Sequence, residues 1–429
     1  MKATEFIKKV SEGAFDGVFT KLYPVEKLSY QKNRYSSIAS SFLELYGDRE
    51  IELFSVPGRT EVSGNHTDHN NGKVICASVD IDIISVASKT DENNICVKSE
   101  GYRESVIALD SLRSDNVKPG SSSSLIAGVA DWFAKNGHNT GGFCAFTQSD
   151  VIMGSGISSS AAFEVMIGNI LNHFYNRGRI SPVELAKAGK YAENEFFGKP
   201  CGLMDQAACA VGGLSYIDFA DRTSPYVEKL NFDFASCGYI LCLVNTGGSH
   251  AKLTDEYASL PAEMKLIASA YSKEVLRTVS KQTFFADIAL LRKQYGDRAV
   301  LRALHYFEEN DRVEAQRVAI KSGNYPAFFE NVTKSGNSSF KYLQNVFCVN
   351  NVTEQGLSLA LALCDKLGVI SRVHGGGFAG TVQAWLKPEQ KELFRSTLEA
   401  VFGEGSCMFL GVRPYGAVKL DENNIISYS

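Results

Sequence analysis

No apolar run in this 429-residue chain reaches the roughly 20 residues that a membrane-crossing helix needs. An excess of positive charge is lacking too. The 44 Lys and Arg against 48 Asp and Glu leave a net charge of −4, so the balance suggests neither nucleic acid nor an anionic membrane as partner. Ten cysteines are present but no C-x-x-C pair, which argues against zinc ribbons and thioredoxin-like redox centres. They read as free thiols in a reducing cytosol. The N-terminal MKATEFIKKVSEG is patterned as an amphipathic helix and lacks the long apolar core of a secretion signal. A cytoplasmic, monomeric protein is expected. Repeats and low-complexity runs are missing. So are two familiar phosphate loops: G-x-x-x-x-G-K-[ST] does not occur, and GSGISS lacks the last glycine of G-x-G-x-x-G.

What is there organises around Ser149–Val165, SDVIMGSGISSSAAFEV. Gly154 and Gly156 allow a tight turn, and the serines after them open an apolar run suited to a helix. Orphan N–H groups and the positive end of a helix dipole favour an anion there. With 44% hydrophobic residues the chain can bury a sizeable core, and its length suggests two domains. Mixed strand and helix patterns give way to helix-rich sequence near residues 214–245, so the domains are expected at 1–220 and 221–429.

Other stretches are dense in chemistry. Glu52–Val56 alternates as a short strand, and PGRTEVSGNHTDHNNGK (Pro57–Lys73) follows as a polar, turn-rich loop. Val74–Ile84 is β-branched and apolar. In CGLMDQAACAVGG (Cys201–Gly213), Asp205 stands among apolar and small residues, where a carboxylate should be paired or functional. NTGGSHAKLTDEY (Asn245–Tyr257) is a glycine turn opening a helix, and SRVHGGGFAGTVQAW (Ser371–Trp385) is a glycine-dense turn between strands.

Taken together, these stretches resemble the galactokinases of the GHMP kinase superfamily. Pro57–Gly72 is similar to the sugar signature GRxNxxGEHTDYNxG, Ile152–Ala162 to the phosphate-loop motif PxGxGLSSSAA, and Gly375–Gly380 to GGGFGG. CGLMDQ, NTGGSHAKLTDEY and the Arg302, Ala303, His305 set resemble further galactokinase elements, in order, from about residue 43 to 412. The resemblance implies an α/β (α+β) fold. Its N-terminal domain is expected to be like ribosomal protein S5 domain 2, its C-terminal domain ferredoxin-like, with the active site in the cleft between them. It also implies transfer of the γ-phosphoryl of ATP to a sugar's anomeric hydroxyl. By that resemblance Gly154, Gly156, Ile157, Ser158, Ser159 and Ser160 face the phosphates. Ser160 and Glu193 hold Mg²⁺, a hard cation suited to oxygen ligands. Asp205 orients or accepts the hydroxyl proton, and Arg59 steadies charge. Asn65, His66, Asp68, Gly202 and Tyr257 contact the sugar.

The chain departs from the family pattern at four positions. Asn65 stands where the signature has Glu, Glu61 where it has Asn, His69 where it has Tyr, and Ile152 where it has Pro. Asn65 carries no charge and adds an N–H₂ donor. Galactose is the first expectation, with Glu61 and Asn65 as a swapped hydrogen-bonded pair. Galacturonate, N-acetylgalactosamine and arabinose are the alternatives, beside a non-catalytic sugar and ATP sensor. His374 and His250 fit no metal-ligand spacing.

Overall fold

Continuous β-branched runs such as Val74–Ile84 suit strands covered on both faces. The computed structural model describes residues 1–151, 157–199, 201–232, 237–248 and 253–427. Among these the strands are β1 (Glu52–Ser63), β2 (Lys73–Lys89), β3 (Asn94–Ser99), β4 (Ser105–Ala108), β5 (Phe143–Ser149), β6 (Leu214–Asp218), β7 (Tyr226–Leu230), β8 (Ile240–Asn245), β9 (Ile370–His374), β10 (Thr381–Leu386), β11 (Cys407–Leu410), β12 (Val418–Leu420) and β13 (Ile425–Ser427). The first sheet runs β13-β12-β1-β2-β5-β3-β4, and the long β2 also carries β6 and, through it, β7. Its pairs are antiparallel except β3 with β5. The second sheet, β11-β8-β10-β9, is antiparallel throughout.

Alternation along the strands sorts the core. On β2 and β5, Ile83, Ala87, Phe143 and Ala145 join one cluster with the helices Ser122–Lys135, Ser159–Asn176, Pro182–Tyr191 and Met204–Val211. Ile84, Val86, Cys144 and Phe146 point the other way, onto the N-terminal helices through Phe6, Phe19, Tyr35 and Phe42. In the second sheet Cys242, Val244, Val382 and Ala384 pack with Leu357, Cys364, Phe394 and Leu398 of two covering helices. Leu241, Leu243 and Trp385 face back into the first cluster, so the two sheets share one apolar interior. The strands β7, β12 and β13 lie beyond residue 220 yet join the first sheet. We keep the expected division at 220/221 as a proposal about folding units.

Sequence patterning ends the first strand at Val56, whereas β1 continues to Ser63. Two register shifts against β2, between Pro57 and Arg59 and between Glu61 and Ser63, admit this polar stretch to the sheet. The first sits beside a proline that has no N–H for the ladder, and such shifts re-aim side chains. Arg59 and Glu61 are therefore strand residues on a rigid element. Only residues 64–72 form the loop.

Candidate active site

Two separate motifs meet at one ion pair. Arg59 of β1 donates from Nε to Asp205 Oδ1 at 2.7 Å and from its second guanidinium nitrogen to Oδ2 at 2.8 Å. Bidentate pairs of this kind fix orientation as well as charge. Asp205 lies in the first turn of Met204–Val211, where a helix dipole favours a carboxylate. Its Oδ2 also accepts from the Ser158 hydroxyl. Burial pushes the carboxyl up, but the Arg59 charge and these hydrogen bonds outweigh it and hold Asp205 at about 2. The side chain keeps 34% exposure, enough to meet a substrate. Arg59 is itself tied to the phosphate-loop segment, because its N–H donates to Ile157 O at 3.2 Å.

Ser158, in left-handed conformation (φ 61°), caps the helix Ser159–Asn176. Ser160, in its first turn, donates to Glu193 Oε1 at 3.3 Å. Glu193 is buried at the start of the π-helical turn Ala192–Phe197. Lys199 Nζ approaches the same oxygen at 3.2 Å. One turn on from Ser160, Glu164 is fully buried. Burial, then the nearby Glu193 charge, pushes its carboxyl well up. Gly154 and Gly156 lie outside the described residues, as does His250.

Asp68 and Gly202 touch: a Cβ on Gly202 would stand 1.8 Å from Asp68 Oδ2, so any side chain there would displace the Asp68 carboxylate. His66 (φ 57°) donates from Nε2 to Gly376 O at 2.9 Å. Burial, and then the neighbouring His69, lower it to about 4, which leaves it neutral with Nδ1 as acceptor. Tyr257 donates to Gly377 O at 2.8 Å, and its ring lies where a Cβ of Gly376 would be. Asn65 is turned into the protein instead. It is fully buried, donates to Glu61 Oε1 (3.0 Å) and Gly375 O (2.7 Å), and accepts from Asn345 (2.8 Å) and Ser339 (3.3 Å). Its hydrogen-bonding capacity is spent within the chain. The three carbonyls of Gly375–Gly377 thus anchor Asn65, His66 and Tyr257.

Comparison with known proteins places the chain in a family. The profile of the galactokinase galactose-binding signature matches residues 40–89, and that of the GHMP kinases N terminal domain matches 124–213. The galactokinase of Streptomyces coelicolor is 30% identical over 351 residues, covering 80% of this chain and 87% of its own. The chain belongs to the galactokinase family. The galactokinase of Enterococcus faecalis is 27% identical over 372 residues, covering 85% and 92% of the two chains. A crystal structure of Lactococcus lactis galactokinase complexed with galactose shares the fold, with a TM-score of 0.76 at 24% identity over 89% of this chain and 98% of that one. A mevalonate kinase matches at a TM-score of 0.59 and 15% identity, covering 84% and 98%.

Within this family frame, one element of the site goes beyond the motif residues. The helix Asp297–Lys321 braces the loop at 64–72 from behind. His305 Nε2 donates to Asn65 O (2.9 Å) and Tyr306 to Asn70 O (3.0 Å). Glu309 Oε1 accepts from Gly64 N–H (2.9 Å), and Asn310 Oδ1 from Lys73 N–H (2.7 Å). Burial lowers His305 to about 4, so it is neutral and its Nδ1 accepts from Ser338 at 2.9 Å. The RAxH match singled out His305, but spacing alone gave no signal for Glu309 or Asn310.

Proposed function

We propose that this protein transfers the γ-phosphoryl group of ATP to the anomeric hydroxyl of galactose. The observation that carries the reading is the bidentate Arg59–Asp205 pair, bonded to Ser158 at the start of the helix Ser159–Asn176. The N-terminus of that helix suits the phosphates of ATP, with Ser158, Ser159 and Ser160 beside them. Asp205 stays ionised at neutral pH and accepts a hydrogen bond from the attacking hydroxyl. A carboxylate at about 2 is too weak a base to strip a sugar hydroxyl in advance. The proton therefore moves late, once the oxygen has begun to bond phosphorus, as a loose phosphoryl transfer allows. Arg59 stabilises the charge on the moving group. Ser160 and Glu193 offer hard oxygens that fit Mg²⁺, which when bound neutralises phosphate charge.

Asp68 and Gly202, with His66 and Tyr257, are our choice for the sugar's contacts. Asn65 is reassigned: it holds the loop, and its pairing with Glu61 supports galactose over a sugar altered at C6. An intact Arg59, Glu193 and Asp205 set favours a kinase over a sensor. The same reading carries forward a cytoplasmic monomer with no nucleic-acid partner. The test is kcat/KM for ATP-dependent phosphorylation of galactose, galacturonate, N-acetylgalactosamine and arabinose. Galactose should lead. Turnover of galacturonate without galactose overturns the choice of sugar, and no turnover with any of them overturns the kinase.

A further inference from the structure

Gln206 follows Asp205 on the same helix and is fully buried. Its Nε2 donates to Glu193 Oε2 at 2.9 Å and to Glu164 Oε2 at 3.0 Å, and lies 3.7 Å from Cys201 Sγ. The amide has two N–H bonds, and two carboxyl groups take them. Turning it over would press Oε1 against both, so its orientation is fixed. Close packing helps, since a Cβ on Gly189 would meet Gln206 Cγ and Glu164 Oε2 at 3.0 Å.

The two oxygens of Glu193 are thereby given different tasks. Oε2 is tied back to Gln206, while Oε1 is the oxygen that meets Ser160 and Lys199. We infer that Gln206 is a positioning residue for the divalent cation, holding Glu193 so that one chosen oxygen faces Ser160. This rests on the reading of Ser160 and Glu193 as the metal pair. Groups that orient a ligand in this way typically govern metal affinity by about 10- to 100-fold. Asp205 and Gln206 share one helical turn, so the group that meets the hydroxyl and the group that aims the metal ligand move together.

The experiment measures Mn²⁺ binding to the full chain with ADP present, by electron paramagnetic resonance, alongside galactose binding by calorimetry. Gln206→Met keeps the length and removes both hydrogen bonds. It should weaken Mn²⁺ by about 10-fold or more while galactose affinity stays within about twofold. Gln206→Asn, which withdraws the amide by one methylene, should weaken Mn²⁺ to a smaller extent and decides the matter should the Met variant not fold. Glu193→Ala is the control. If it weakens Mn²⁺ and the Gln206 variants do not, the positioning role is refuted and the metal pair stands. If Glu193→Ala leaves Mn²⁺ binding unchanged, the metal pair itself is wrong and the inference falls with it. Equal losses of Mn²⁺ and galactose binding in the Gln206 variants would mark a merely structural residue and also overturn it.

Discussion

Glu309→Gln tests whether the brace helix holds the sugar loop. The Glu309 carboxylate is fully buried and accepts from Gly64 N–H at 2.9 Å, from Arg312 Nε at 2.7 Å and from the Ser335 hydroxyl. Burial pushes it up, but Arg312, then His305 and Arg372, outweigh that and lower it from 4.5 to about 2. A folded value below the unfolded one stabilises the protein above about pH 4.5, and the gain is lost as pH falls towards 2. A shift of this size corresponds to about 3 kcal/mol at pH 7. Counting bonds gives a similar figure, since weakening three charge-assisted hydrogen bonds by about 1 kcal/mol each leads to the same total. The glutamine cannot compensate, because its N–H₂ must face one of the three donors. Urea unfolding should therefore show the variant less stable by about 3 kcal/mol at pH 7, the gap shrinking by about 1 kcal/mol at pH 4. With Gly64 released, kcat/KM for galactose should fall by up to about 100-fold, as misplaced contacts do, with the KM for ATP nearly unchanged. Equal stability at pH 7, or parallel losses for galactose and ATP, would refute the reasoning.

Two further substitutions probe the cleft directly. Asp205→Asn removes the charge that pairs with Arg59, and kcat should fall by about 1000-fold with galactose binding retained; full activity in a steady-state ATP-consumption assay would show that Asp205 is not the group that meets the hydroxyl. Gly202→Ala brings a methyl to within 1.8 Å of where Asp68 Oδ2 now lies, so calorimetry should detect ATP binding but no galactose binding. Normal galactose affinity there would remove Asp68 from the sugar site.

Much of this site was legible because its chemistry is compressed into short motifs. Arg59, Asp205, Ser160 and Glu193 could be chosen from sequence, and the fold brings them together in two hydrogen-bonded pairs. The continuation of β1 through Pro57–Ser63 was not legible, because a charged, proline-containing stretch lacks the alternation of a strand. It is in the sheet because register shifts and cover from Arg372, His374 and Gln383 satisfy its polar groups. Glu309 and Asn310 look like the solvated face of a charged helix; only the loop packed on them shows that Glu309 is buried and Asn310 half-buried. Gln206 closes the CGLMDQ element, but a neutral amide in an apolar run predicts neither its burial nor its partners. The strands β12 and β13 are three residues each, and their place in the first sheet depends on pairing with β1 across more than 350 residues of chain.

The two departures from the signature at 61 and 65 are partners in this fold. Glu61 and Asn65 are bonded to each other, with the carboxylate on the strand and the amide on the loop. Each position has partners that suit its present occupant. Glu61 meets the Arg372 guanidinium at 2.6 Å, in a buried pair where a neutral residue would strand a charge. Asn65 must donate to Gly375 O, which a carboxylate cannot do, while accepting from Asn345 and Ser339. Restoring glutamate at 65 alone would set two carboxyl groups side by side in the interior and leave the Gly375 carbonyl without its donor. Restoring asparagine at 61 alone would leave Arg372 without its carboxylate. The exchange is thus locked by residues far away in sequence, on β9 and in the glycine turn that follows it. The carboxylate nearest this end of the loop is consequently held inside the protein, which leaves Asp68, His66 and Tyr257 as the polar side chains we propose for the sugar.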